Sequence, residues 1–195
     1  MTSSQEAGSQ EARAAVPATP EDVKRSSAHL RGELSSELAD TGDRFSADST
    51  VLLKFHGIYQ QDDRDQRRAR TQARQELAYS CMVRTSVPGG VLTADQWLAL
   101  DGLADEVGGG ALRITTRQGI QYHGVVKRDL RHLVGTLNRH LVSTLSACGD
   151  VVRNVSCCPA PHDDRRQDAL LAHARHLAAR FRPHPAPPAR CRRRG

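Results

Sequence analysis

The chain has 195 residues, of which 38% are apolar and 26% are charged, a composition within the range of globular domains. The net charge of +6 is concentrated at one end: residues 182–195 contain five arginines and no acid, whereas residues 1–181 hold 23 basic and 22 acidic side chains. A nucleic-acid-binding protein needs basic residues spread over a folded face, so we expect no nucleic-acid partner. No apolar run reaches the ~18 residues of a membrane helix, so we expect no membrane association either.

The five cysteines form no CxxC pair and no spacing typical of zinc sites, so we predict no metal ligands in this chain. Their odd number, and a polar start that lacks the basic and apolar regions of a signal peptide, indicate a reducing compartment. We therefore predict a cytoplasmic location.

The first part of the chain is polar. Residues 1–20 have no apolar period, which predicts a disordered leader. For residues 21–75 we predict an N-terminal arm, with one short helix between Glu21 and Asp40, a strand in the apolar run 51–55, and a polar loop.

Residues 76–145 have a regular order of patterns. Residues 79–87 alternate with the period of a strand, and Thr93 with Gln96 resembles a capping box that opens a helix ending at the glycines 108–110. Residues 111–126 predict a hairpin that turns at Gln118, and residues 129–145 predict a second helix. The order strand, helix, hairpin, helix is typical of an α+β, ferredoxin-like half-domain with helices on one face of an antiparallel sheet.

The helical periods place specific side chains inward. For the first helix we predict Trp97, Leu100, Ala104 and Val107 on the buried face, and for the second Leu130, Leu133, Val134, Leu137 and Leu141. A last helix is predicted from about residue 164 to 181, with an apolar stripe formed by Leu170, Leu171, Ala174, Leu177, Ala178 and Phe181. Residues 183–195 have neither period nor caps, which predicts a disordered tail typical of out-of-frame translation.

The hairpin has one strongly cationic side. A turn at Gln118 predicts that Arg113 lies opposite His123, and Thr115 opposite Gln121, with Arg117 at the end of the row. Leu112, Ile114 and Tyr122 would then line the other side. Arginine binds carboxylates through two parallel hydrogen bonds, so the pattern indicates a platform for a polycarboxylate ligand. A merely solvated sheet face fits the spacing equally well.

Four stretches together resemble a known family: LKFHGIYQQDDRD, MVRTSVPGG, LRITTRQGIQYHGVVKRDL and SACGDVVRNV. In order and spacing they are similar to the N-terminal region of assimilatory sulfite reductase hemoproteins, members of the nitrite and sulfite reductase family. The resemblance implies a siroheme coupled to a [4Fe–4S] cluster, which together reduce sulfite to sulfide by six electrons. It also implies ferredoxin or an NADPH-dependent flavoprotein as electron donor, and it makes residues 146–182 the start of a siroheme-binding domain.

The resemblance assigns roles to individual residues. Arg84 and Arg153 match the arginines that hold the sulfite oxyanion, where positive charge stabilises the anion as its S–O bonds break. Contacts with siroheme or its surroundings are implied for Arg113, Thr115, Thr116, Arg117, Gln121, His123 and Asn154. Siroheme has eight carboxylates, which a cationic sheet face would bind.

The sequence also departs from the family pattern. The cysteines that ligate the cluster, and two lysines of the sulfite site, are expected downstream of residue 195. We therefore expect this polypeptide alone to bind siroheme weakly or not at all and to reduce no sulfite. Two alternatives stay open: a siroheme nitrite reductase, and a non-catalytic ferredoxin-like module that binds an anionic partner or RNA.

Overall fold

The computed structural model describes residues 19–148, 151–158, 160 and 165–182. The predicted tail and nearly all of the predicted leader lie outside these residues. The helices are α1 (Pro20–Ser26), α2 (Leu34–Glu37), α3 (Ala47–Phe55), α4 (Arg64–Gln72), α5 (Ala94–Val107), α6 (Leu130–Arg139) and α7 (Arg165–Phe181). The strands are β1 (Ile58–Asp62), β2 (Tyr79–Arg84), β3 (Arg113–Ile114) and β4 (Ile120–Val125), and short 3-10 turns cover Pro88–Gly90 and Lys127–Asp129.

The predicted strand at residues 51–55 is wrong, because these residues form the second half of α3. The helix begins after Ser46, whose hydroxyl accepts a hydrogen bond from the backbone N–H of Ser49, and it buries Leu52 and Leu53 in the core. A short apolar run fits a buried helix as well as a strand. The strand of this region is β1, which lies in the stretch predicted as a polar loop.

The four strands form one antiparallel sheet in the order β1-β2-β4-β3. Strand β1 belongs to the predicted arm, yet it pairs along its whole length with β2 of the predicted half-domain, with Ile58 opposite Val83. The sheet therefore includes strands from both sides of the predicted boundary at residue 75. The boundary itself stays a prediction.

The hairpin of β3 and β4 differs in register from the prediction. Arg113 lies opposite Gln121 and not opposite His123, because the turn is centred on Arg117, one residue earlier than predicted. The loop closes where the N–H of Thr115 donates to the carbonyl of Gly119 at 2.8 Å. A shift of two residues leaves each side chain on its predicted face, since strand side chains alternate with period two.

A bulge interrupts the pairing of β2 with β4. Val83 lies opposite Tyr122, whereas Cys81 lies opposite Val125, so β4 has one residue more than β2 in this interval. The extra residue is accommodated at Gly124, which has a φ of 77°. Glycine adopts this conformation without a steric penalty, and the bulge returns Val125 to the buried face.

Helices α5 and α6 cover one face of the sheet. The capping box of Thr93 and Gln96 is confirmed, and α5 ends at Gly108 as predicted. Tyr122 is fully buried, and its hydroxyl donates to the carbonyl of Leu100 at 3.0 Å. Trp97, predicted inward, is 43% exposed, and Leu103 takes a buried position instead.

Helix α6 is shorter than predicted, because it ends at Arg139 and the chain turns at His140. Leu141, predicted inward, is 86% exposed, and Val142 is buried in its place. The positive φ of Leu141 marks the end of the helical repeat.

Helix α7 agrees with the predicted last helix. It buries Ala174 and Ala178, whereas Leu170, Leu177 and Phe181 of the predicted stripe are exposed. Leu171 packs against Gly89, leaving no room there for a Cβ atom. In the part of the chain that the structure describes, no helix combines the length and apolarity needed to cross a membrane.

Candidate functional site

The sheet face opposite α5 and α6 presents the candidate site. Val83 and Tyr122 point into the core, so their strand neighbours point the other way. The side chains we call the cationic face are Tyr59 of β1, Arg84 of β2, Arg113 of β3, and Gln121 and His123 of β4. Among the described strand positions of this face, none is acidic.

The centre of the cationic face is a hydrogen-bonded group of Arg84, Gln121 and His123. Arg84 lies opposite Gln121, and the amide oxygen accepts from Nε at 2.8 Å and from Nη2 at 2.5 Å. The other terminal atom of the amide is 3.3 Å from Nε2 of His123. The glutamine therefore connects the guanidinium to the imidazole.

His123 is half-buried beside two arginines. Burial lowers the pKa of its imidazole, and the charges of Arg113 and then Arg84 lower it further. The neutral imidazole is thus favoured on this face.

Arg84 reaches a second group of residues through its remaining nitrogen. Nη1 donates to the sulfur of Cys148 at 3.0 Å. Burial raises the pKa of the Tyr59 hydroxyl, as does its hydrogen bond with Cys148, whereas Arg153 and Arg84 act in the opposite direction. Both arginines therefore lie close enough to Tyr59 to act on its charge, so Arg84 and Arg153 converge on one place.

Tyr59 and Arg153 also line an open pocket of about 350 Å³. Lys24, Lys54 and Glu21 contribute to its wall, and Lys24 pairs with Glu21 at 2.5 Å. Sequence reasoning missed Tyr59, because its stretch was interpreted as a loop. The signal that could have found it is the alternation of Ile58, Tyr59 and Gln60.

The hairpin loop holds three more of the predicted residues. Thr115 uses its hydroxyl to accept from the N–H of Gly119 at 3.1 Å, which closes the loop. Thr116 and Arg117 are exposed in the same loop. The structure brings all three to the end of the hairpin, where the sequence predicted Arg117 but not Thr115, which was expected opposite Gln121.

Asn154 lies at this loop but its amide is engaged within the protein. Its oxygen accepts from the Ser86 hydroxyl at 3.1 Å, and its nitrogen donates to the carbonyls of Val87 and Arg117 at 2.8 and 2.7 Å. The geometry thus gives Asn154 a supporting place, holding the hairpin loop against the segment that follows β2.

Gln118 is a second support that sequence reasoning did not single out. Its side chain makes a pair of hydrogen bonds with the backbone of Cys157, at 2.7 and 3.0 Å. Its positive φ of 61° places it in the turn. Together with Asn154 it fixes residues 154–157 beside the cationic face, and Arg153 comes directly before them.

The structure contains no candidate metal ligand group within its described ranges, since no three His, Cys, Asp or Glu side chains cluster there. Cys81, Cys148, Cys157 and Cys158 are all free thiols. The site therefore consists of cations, amides, hydroxyls and one thiol, a set suited to anions.

The chain is similar to several known proteins. Residues 73–140 match the nitrite/sulfite reductase ferredoxin-like half domain. The sulfite reductase (NADPH) hemoprotein beta-component of Xanthomonas oryzae pv. oryzae is 49% identical over 156 residues, which cover 79% of this chain and 27% of the relative. The corresponding protein of Myxococcus xanthus is 48% identical over 165 residues, covering 84% of this chain and 29% of the relative.

A solved structure shares the fold. The NirA protein of Mycobacterium tuberculosis superposes with a TM-score of 0.66 and 20% sequence identity, over 84% of this chain and 31% of that one. The chain spans less than a third of the length of the curated relatives that it matches. Residues 73–140 carry the half domain of the nitrite and sulfite reductase family, and what the chain matches is the N-terminal part of the sulfite reductase hemoproteins.

Proposed function

We propose that this chain supplies the siroheme- and sulfite-contacting arginines of an assimilatory sulfite reductase. The observation that supports the proposal most strongly is that Arg84, Arg113 and His123 share one sheet face, with no acidic side chain among the described strand positions of that face. A surface with this charge is suited to a ligand with several carboxylates.

The residues present fit siroheme by their donor chemistry. Arg113, Arg117 and His123 would hold its carboxylates, and Thr115, Thr116 and Gln121 offer neutral donors beside them. When bound, siroheme coupled to a [4Fe–4S] cluster would pass electrons from the external donor to sulfite. This chain's own part is to orient the tetrapyrrole and to neutralise its negative charge.

Arg84 and Arg153 would bind the sulfite oxyanion. The three nitrogens of the Arg84 guanidinium all donate hydrogen bonds, two to Gln121 and one to Cys148, so the cation is oriented before the anion arrives. Preoriented donors stabilise developing charge more effectively than donors that must first turn. Asn154 has a positioning role in this proposal, because both ends of its amide bond within the protein and fix the segment that contains Arg153.

For the electron donor and the cellular location, the proposal uses the names of the relatives and the state of the cysteines. The names of the curated relatives include NADPH, which favours a flavoprotein that draws on NADPH over ferredoxin. The free thiols of the described residues support a cytoplasmic location, because a reducing compartment keeps thiols from forming disulfides.

A chimera tests the proposal. Residues 19–182 would replace the matching portion of the Xanthomonas oryzae hemoprotein, to which the chain is 49% identical. We expect the chimera to show the visible absorption of siroheme and to oxidise a reduced viologen dye when sulfite is added. Arg153→Gln should retain the absorption and lose at least ~100-fold in turnover, as expected when one oriented donor to a reacting anion is removed.

Arg128→Gln is the matched control, since Arg128 is an exposed cation outside the cationic face. It should behave as the unmodified chimera does. A chimera that retains siroheme but reduces nitrite and not sulfite would overturn the substrate assignment, and a folded chimera without siroheme would overturn the proposal as a whole.

A further inference from the structure

We propose that His123 takes up a proton when an anion binds to the cationic face, so that anion binding there depends on pH. This inference rests on the proposed function, since it takes the same face as the anion site, and it adds a role for one residue.

The hydrogen bonds of the free chain require a neutral imidazole. Gln121 directs its amide oxygen to Arg84, so the amide nitrogen occupies the position 3.3 Å from Nε2 of His123. An amide nitrogen only donates, and Nε2 can accept from it only when it has no proton. The proton of the neutral ring is therefore on Nδ1.

The charges around the imidazole act in the same direction. Arg113 faces it from β3 and Arg84 from β2, and both lower the pKa of His123, as does its burial. Gln121 on its own strand is neutral, and the described strand positions of this face contain no acid to offset the two guanidiniums. A proton on His123 would add a third positive charge to the group.

An anion between the arginines reverses this balance. Its negative charge offsets the two guanidiniums and attracts an imidazolium, so the pKa of His123 rises on binding. By linkage, the anion then binds more tightly in the protonated state. The affinity should be highest below the pKa of the free chain, fall with rising pH, and become constant above the pKa of the complex.

The size of the effect follows from the change in the pKa. A rise of about one unit corresponds to a tenfold difference in affinity between the two pH limits. With a rise of about one unit, at most about half a proton is taken up per anion bound, midway between the two pKa values.

Sulfate is a suitable probe, because it remains a dianion over the whole range in which histidine titrates. The full chain is titrated with sulfate at constant ionic strength, with chloride as the replaced salt, and the ring proton resonances of His123 are followed by NMR from about pH 8 to about pH 5. His132 is the internal control, since it is 53% exposed on α6 and pairs with Glu106, away from this face.

We expect sulfate to raise the pKa of His123 and to leave the ring resonances of His132 unchanged at each pH. Arg113→Gln should raise the pKa of His123 even without sulfate, because one repelling cation is gone. His123→Gln should make sulfate affinity nearly independent of pH, whereas the matched variant His132→Gln should retain the dependence.

Two results would overturn the inference in distinguishable ways. If sulfate shifts the resonances of Arg84 and Gln121 but leaves the pKa of His123 unchanged, proton uptake is wrong and the anion site stands. If sulfate perturbs no residue of the cationic face, the inference falls together with the anion-binding function proposed for that face.

Discussion

Arg84 and Gln121 lie directly opposite each other on β2 and β4, and the glutamine oxygen accepts from two nitrogens of the guanidinium, at 2.8 and 2.5 Å. The third nitrogen donates to Cys148. The arginine is therefore oriented by a strand neighbour and by a residue 64 positions along the chain. Gln121 therefore lies between Arg84 and His123, and a charge introduced at this position would act on both.

Gln121→Glu should weaken anion binding and raise the pKa of His123. The side chains have nearly the same shape, but the carboxylate would offset Arg84 and Arg113 and stabilise an imidazolium. An opposite charge at this distance shifts a pKa by about one to three units. NMR titration of His123 measures the shift, and sulfate titration measures the loss of affinity, which we expect to be at least ~10-fold.

Gln75→Glu is the control for this variant, because it adds the same charge at an exposed loop position. An equal effect of both variants would show that net charge, and not the position of Gln121, determines anion binding.

Gly57→Ala should unfold or strongly destabilise the chain. Gly57 has a φ of 76°, and an added Cβ would overlap the carbonyl oxygen of Thr144 and lie 2.8 Å from that of Arg84. Its own carbonyl accepts from the N–H of Arg84 at 2.8 Å, so the strain would reach the site directly. Urea denaturation should show a loss of more than ~2 kcal/mol.

Gly102→Ala provides the contrast within the same chain. Gly102 lies inside α5, and no atom is within 4 Å of an added Cβ. Alanine is favoured over glycine in a helix by about 0.5–1 kcal/mol, so the free energy of unfolding should rise. A loss of stability at Gly102 similar to that at Gly57 would contradict the steric explanation.

Asn154→Asp should loosen the segment that contains Arg153. A carboxylate can accept from Ser86 but cannot donate to the carbonyls of Val87 and Arg117. The expected cost is about 2 kcal/mol, together with faster amide exchange at Gly89 and Cys157, whose N–H groups bond within this region. Asn138→Asp, at an exposed position of α6, should leave both amides unchanged.

The thiols should differ widely in their reactivity. Cys158 is exposed, whereas Cys81 is only 2% exposed, and burial raises the pKa of its thiol to about 12. Because the thiolate is the reactive form, iodoacetamide should label Cys158 at least ~100-fold faster than Cys81 in the native chain. Peptide mapping by mass spectrometry measures the rates. Similar rates would show that β2 is open to solvent.

Local signals in the sequence predicted the elements whose ends are marked by capping residues or glycine. The capping box of Thr93 and the glycine at 108 defined α5 correctly, because both depend on residues close in the chain. The cationic character of the hairpin was also predictable, since a register error of two residues leaves the faces unchanged. The fold class and the family followed from these elements and from the four similar stretches.

Features that depend on distant contacts were not predictable. Residues 51–55 form part of a helix, whose Leu52 and Leu53 pack in the core against residues distant in the chain. Trp97 is exposed although it lies on the apolar stripe of α5. The bulge at Gly124 and the place of Tyr59 depend on the pairing of three strands. The hydrogen bonds of Asn154 join residues 37 and more positions apart, a distance that a period in the sequence cannot show.

The siroheme content of two chimera variants tests the central claim most directly. Arg113→Gln removes a cation of the cationic face, and Arg128→Gln removes an exposed cation outside it. If the face binds the tetrapyrrole through its carboxylates, siroheme absorption per folded protein should fall several-fold in the first variant and remain unchanged in the second. Equal siroheme content in both variants would contradict the account.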